Sequence, residues 1–107
     1  MSSPTDLELR FHQRMLNVYE QAKAECNYTA TRFRNMVADQ GGLAAAKSLL
    51  GSGGYSEGLT RLWEEKRLDI SMEATVLQDP WRALFTEDEL LTARAKLKEL
   101  GYEFNDR

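Results

Sequence analysis

The chain has 107 residues, enough for one hydrophobic core, and its 42% hydrophobic and 29% charged content excludes the high-charge composition that keeps a chain disordered. Its 17 acidic and 14 basic residues leave a net charge of −3, so no long-range field draws it towards nucleic-acid phosphates or an anionic membrane. Cys26 is the only cysteine, which rules out an internal disulfide and a zinc site built on thiolates and suggests a reducing compartment.

The first segment, residues 4–26, carries Leu7, Phe11, Met15, Val18, Ala22 and Cys26 at three- and four-residue spacing, the pattern of one buried helix face. Pro4 stands where a helix begins. Thr29 is placed to cap a second helix that turns Ala30, Phe33, Met36 and Val37 inward and ends at Gly41 and Gly42. Residues 43–50 predict a short, buried, alanine-rich third helix. The stretch GSGGYS, residues 51–56, reads as a flexible loop, and its Ser56 caps a fourth helix holding Leu59, Leu62 and Trp63.

Ser71, or Asp69, starts a short fifth helix with Met72, Val76 and Leu77 inside, and Asp79 with Pro80 opens a brief turn holding Trp81, Leu84 and Phe85. Thr86 and Glu89 form a capping box, each side chain serving a free backbone N–H at the start of the last helix. Leu90, Ala93, Leu97 and Leu100 form its inner stripe, with its lysines and arginine outside, and Gly101 closes it. No segment alternates with period two. The expected fold is therefore all-α, a compact bundle of about six helices in one domain over residues 1–107, with a core at about 5–102 and a polar tail at 103–107. No run is long enough to span a membrane, and the N-terminal MSSPTDLELRF lacks the basic and apolar parts of a secretory signal, which predicts a cytoplasmic protein.

The residues present no catalytic group, metal site or cofactor motif. His12 is the single histidine and has no partner of a type that catalysis or metal binding requires, so it reads as structural. Cys26 lies fourteen residues away, about 21 Å along one helix, too far to pair with it. Asp69 and Glu73 read as carboxylates placed at a helix start, where negative charge meets the positive end of the dipole. The glycine-rich loop lacks the lysine and hydroxyl of a phosphate cradle, and Glu57 stands where a phosphate would lie. The helix after Gly41 and Gly42 offers LAAAKSLL, a poor set for reading bases. An enzyme would need a partner subunit to complete a shared site.

Two tryptophans, Trp63 and Trp81, stand in apolar helical positions and read first as core, second as binding platforms. Leu9 and Leu16 lie about 150° around the first helix from its main stripe, giving that helix a second apolar face, packed inside the domain or left as a seam for another chain.

The pieces CNYTATRF, GGLAAAKSLL, LWEEKRLDISMEATVL, PWRALFTEDEL and ARAKL span most of residues 26–97. In this order they resemble a small, uncharacterised bacterial helical module that occurs alone and attached to larger chains. The resemblance implies one compact domain and brings no activity or catalytic residue with it. Within it, RLDIS fits a turn in which Leu68 plugs the core while Asp69 or Ser71 caps the next helix.

Together these features predict a non-enzymatic interaction or regulatory module that presents helix faces to an unidentified protein partner or to a second copy, with Leu9, His12, Gln13, Leu16, Arg61, Trp63 and Arg67 as candidate contacts. The alternative is a nucleic-acid-associated factor that touches phosphates through Arg32, Arg34 and Lys47.

Overall fold

The computed structural model describes residues 5–102, and among them six α-helices and two 3₁₀ turns account for the regular structure, with no strand. The expected helix start at Pro4 and the polar tail at 103–107 lie outside the described residues. In chain order the helices are α1 (Asp6–Cys26), α2 (Thr31–Gln40), α3 (Gly42–Gly51), α4 (Glu57–Glu64), α5 (Met72–Val76) and α6 (Glu87–Glu99). The 3₁₀ turns are Leu68–Ile70, before α5, and Trp81–Leu84, before α6.

α1 is the central element and packs against α2, α3 and both 3₁₀ turns, while α6 packs against α3 and α5. The predicted stripe of α1 holds from Phe11 onward, with Phe11, Met15, Val18, Ala22 and Cys26 buried, while Leu7 at its start is only half-buried. Thr5 caps it by accepting the Glu8 N–H, and Asn27, at φ 52°, closes it so that its own N–H and that of Tyr28 both reach the Ala22 carbonyl.

Three of the starts read from the sequence are as expected, and so is the Leu68 plug. Ser56 accepts the Leu59 N–H, Ser71 accepts the Ala74 N–H, the Thr86–Glu89 box is complete, and Leu68 is buried as the plug of its turn. Thr29 does not cap α2. The helix begins two residues later behind Ala30, which has no capping side chain, and the Thr31 N–H bonds the Thr29 carbonyl in a tight turn. That turn puts Ala30 in the core, 7% exposed, so burial of a methyl group takes precedence over a hydroxyl cap.

Only Gly41 of the glycine pair takes the left-handed turn, at φ 89°. Gly42 is the first residue of α3, and it is glycine for a different reason: a Cβ there would lie 2.6 Å from the Cα of His12. α1 and α3 touch backbone to backbone at this point, and Ala45 and Ala46, both fully buried, continue the close approach.

α3 and α6 are also clasped by two lysines. Lys47 of α3 meets Glu89 of α6 at 2.6 Å, and Lys96 of α6 donates to the carbonyls of Leu49 and Ser52 at 3.1 and 3.2 Å, at the C-terminal end of α3. Lys96 was expected outside and is instead 8% exposed, because its ammonium serves carbonyls that the end of α3 leaves without intrahelical partners. The loop after α3 is fastened by the same contact and by Tyr55, whose hydroxyl donates to Glu99 at 2.7 Å.

Candidate functional site

α4 turns Leu59 and Leu62 into the core. Trp63 follows Leu62 by about 100° of helix rotation, which carries its indole off that face. It is 47% exposed, so the expectation that it fills the core is corrected. Trp81 behaves differently: its ring lies 5.7 Å from that of Phe11, itself fully buried, and it packs against the core.

Beside Trp63 runs a groove of about 230 Å³ whose walls include Lys66, Leu68, Asp69, Leu100 and Tyr102. Lys66 holds φ at 60°, a left-handed conformation usually left to glycine, where α4 ends and the Arg67 N–H turns back to the Leu62 carbonyl at 2.8 Å. Arg67 fixes the far side. Its guanidinium bonds Glu25 at 2.7 Å and grips both oxygens of Asp69 at 3.1 and 3.3 Å, tying the end of α1 to the turn before α5. The Arg67 hydrogen bond holds the Glu25 carboxyl below its ordinary value. The Trp63 groove thus combines a half-exposed indole, an apolar floor and a rim anchored by a two-carboxylate arginine.

Arg61 faces another way, with its guanidinium 5.5 Å over the Tyr28 ring and its Nε 3.5 Å from Glu65. The Leu9 and Leu16 pair divides. Leu9 is 56% exposed, while Leu16 is half-buried and packs against the core, so the two do not form one uncovered seam. Gln13 is exposed and bonds Asn17 along α1 at 3.3 Å. His12 is half-buried, and its Nδ1 accepts the Gly42 N–H at 2.9 Å, which makes it a capping group for α3.

The three basic residues of the nucleic-acid reading stand in three different settings. Arg32 is exposed, beside a groove with Tyr28 and Tyr55. Arg34, two residues on and about 200° around the helix, lies 5.7 Å over the Tyr19 ring. Lys47 is held by Glu89 and sits 5.0 Å over Phe85. Although burial opposes it, the hydrogen bonds from Lys47 and from the Thr86 N–H hold the Glu89 carboxyl below its ordinary value.

One residue that the sequence reading placed at a helix start is enclosed. Glu73 is 3% exposed, and every residue of α5 is buried with it. Burial raises its pKa, against the opposing pull of its own backbone N–H and of the Lys96 ammonium. No side chain among the described residues donates a hydrogen bond to its carboxyl. Asp69, the other carboxylate read at that helix start, is exposed and committed to Arg67. No sequence signal marks Glu73, because a five-residue helix carries too little periodicity to reveal that all its sides are covered.

Cys26 is 7% exposed and burial pushes its thiol up, which disfavours the reactive thiolate. No group of three metal-ligating side chains occurs among the described residues, and no helix among them is long and apolar enough to cross a membrane. Comparison with family models, with curated proteins and with solved structures finds no match.

Proposed function

We propose that this chain is a non-enzymatic protein-interaction module of the cytoplasm, and that its docking face is the groove beside Trp63. The observation that carries this reading is the indole itself, 47% exposed above a floor of Leu68, Leu100 and Tyr102. Leaving so large an apolar side chain half in water forgoes stabilisation that full burial would give, and tryptophan is enriched among the residues that dominate binding energy at interfaces. The partner is a protein that seats an apolar side chain against the indole, between Lys66 and Asp69. Arg67 contributes by holding Asp69 in place, and Leu9 on α1 is a separate exposed position.

Crosslinked capture from the native cells tests the reading, with wild type, Trp63→Ala and Leu91→Ala compared side by side. Leu91 is 62% exposed and lies away from the groove walls, so it controls for loss of any surface hydrophobe. A partner retained by Leu91→Ala and lost by a folded Trp63→Ala supports the assignment. Equal capture by all three overturns it.

A further inference from the structure

α6 ends in a turn that leads the chain into the wall of the Trp63 groove. Gly101, at φ 87°, sends its N–H to the Lys98 carbonyl at 3.0 Å, and the Tyr102 N–H reaches back to the Leu97 carbonyl at 2.9 Å. This pair of bonds takes the backbone off the helix axis and satisfies two carbonyls that the end of α6 leaves open. Leu100, Gly101 and Tyr102 then stand in the groove wall with Trp63, and Tyr102 packs half-buried against the core.

The sequence continues with Glu103, Phe104, Asn105, Asp106 and Arg107, so a single aromatic residue follows among polar ones. An extended chain advances at most about 3.6 Å per residue, which keeps the Cα of Phe104 within about 7 Å of that of Tyr102. The groove that Tyr102 lines is therefore in reach of the Phe104 ring. Charge points the same way. Arg67 is taken by Glu25 and Asp69, whereas Lys66, on the groove wall, enters no ion pair among the described residues. Glu103 and Asp106, on either side of Phe104, bring the opposite charge to it.

We infer that residues 103–107 of this same chain occupy the Trp63 groove in the unbound protein, with the Phe104 ring against the indole and a neighbouring carboxylate at the Lys66 ammonium. Rings of this kind attract at centroid separations of roughly 4.5–7 Å, edge to face or offset. A guest joined to the groove by so short a connection acts at a high effective concentration, so an outside partner must displace it before it can dock. That displacement rests on the partner reading given above. The contact between Phe104 and Trp63 does not.

Nuclear Overhauser spectra of the whole protein test the contact. Cross-peaks from the Phe104 ring to the Trp63 indole, with none to the Trp81 indole, are the expected result. The peptide acetyl-Glu-Phe-Asn-Asp-Arg-amide, added to Phe104→Ala, should move the Trp63 indole N–H saturably, and at least about tenfold more weakly in wild type, where the tethered copy competes. Lys66→Glu placed in the Phe104→Ala background should weaken the peptide further. Absence of the Phe104 to Trp63 cross-peaks, or a peptide that binds wild type and Phe104→Ala equally, overturns the proposal.

Capture from the native cells separates this contact from the partner reading. Where both hold, Phe104→Ala captures more of the Trp63-dependent partner than wild type does. Cross-peaks with no Trp63-dependent partner support the contact and overturn the partner reading. A Trp63-dependent partner captured equally by wild type and Phe104→Ala overturns the displacement.

Discussion

His12 Nδ1 accepts the backbone N–H of Gly42 at 2.9 Å at the place where α1 and α3 come closest. The imidazole supplies an acceptor that the start of α3 lacks, since Gly41 before it has no side chain. Gly42→Ala should destabilise by about 1–3 kcal/mol, because the new methyl meets backbone that cannot step aside, and His12→Ala by about 1 kcal/mol for the lost hydrogen bond. Urea unfolding of the two variants checks both values. An unchanged midpoint for Gly42→Ala would remove the close-contact argument.

Leu68 and Leu91 offer a direct comparison of a plug with a surface leucine, being 6% and 62% exposed. Leu68→Ala should cost about 2–4 kcal/mol and Leu91→Ala less than about 0.5 kcal/mol. Thermal and urea melts measure the difference, and comparable small effects at both positions would contradict the core as described.

Stability should depend on pH in two opposite ways. Glu25 and Glu89 titrate below their ordinary values in the folded chain, so the stability they add is present above the unfolded carboxyl pKa of about 4.3 and is lost as pH falls through the folded values. Glu73 is shifted upward, so its contribution is fullest below that unfolded pKa and is lost as pH rises through its folded value. Glu73→Gln, which cannot ionise, should therefore remove the loss of stability that accompanies rising pH and leave the acid-side loss through Glu25 and Glu89 in place. Denaturation midpoints from pH 3 to 9 test this, and a variant that keeps the whole decline with rising pH would show that Glu73 is not its source.

Lys66 holds a left-handed conformation at φ 60° without the freedom of glycine. Lys66→Gly should stabilise by up to about 1 kcal/mol, since glycine is relieved of the Cβ clash although it enlarges the unfolded ensemble. The same melts serve, and a clear loss of stability would mean that the lysine stem contributes packing beyond its backbone geometry.

The fold was legible where local chemistry decides it. The Ser56 and Ser71 caps, the Thr86–Glu89 box and the α1 stripe are each set by residues three or four apart, and each is found in the structure. Distant pairing was not legible. Lys96 reads as an outward lysine until the end of α3 is brought against it, and Glu73 reads as a helix-start carboxylate until α5 is surrounded. The candidate site was legible in part. Trp63 was singled out, but its periodicity placed it with Leu59 and Leu62, and the one-residue step that turns it outward only shows once α4 has docked. Leu9 and Leu16 share a face of an isolated helix, and neighbouring elements cover one and spare the other.

The lysine clasps between α3 and α6 run in both directions, one helix giving its ammonium to a carboxylate and the other giving its own to backbone carbonyls. The two ends of this contact therefore answer differently to ionic strength. Lys47 and Glu89 are a partly exposed charge pair, which dissolved ions screen, whereas the Lys96 ammonium is shielded and bonds to dipoles. In concentrated salt, the start of α6 should loosen while its later turns stay docked, so hydrogen exchange would quicken at Leu90 and Leu91 well before it does at Leu97.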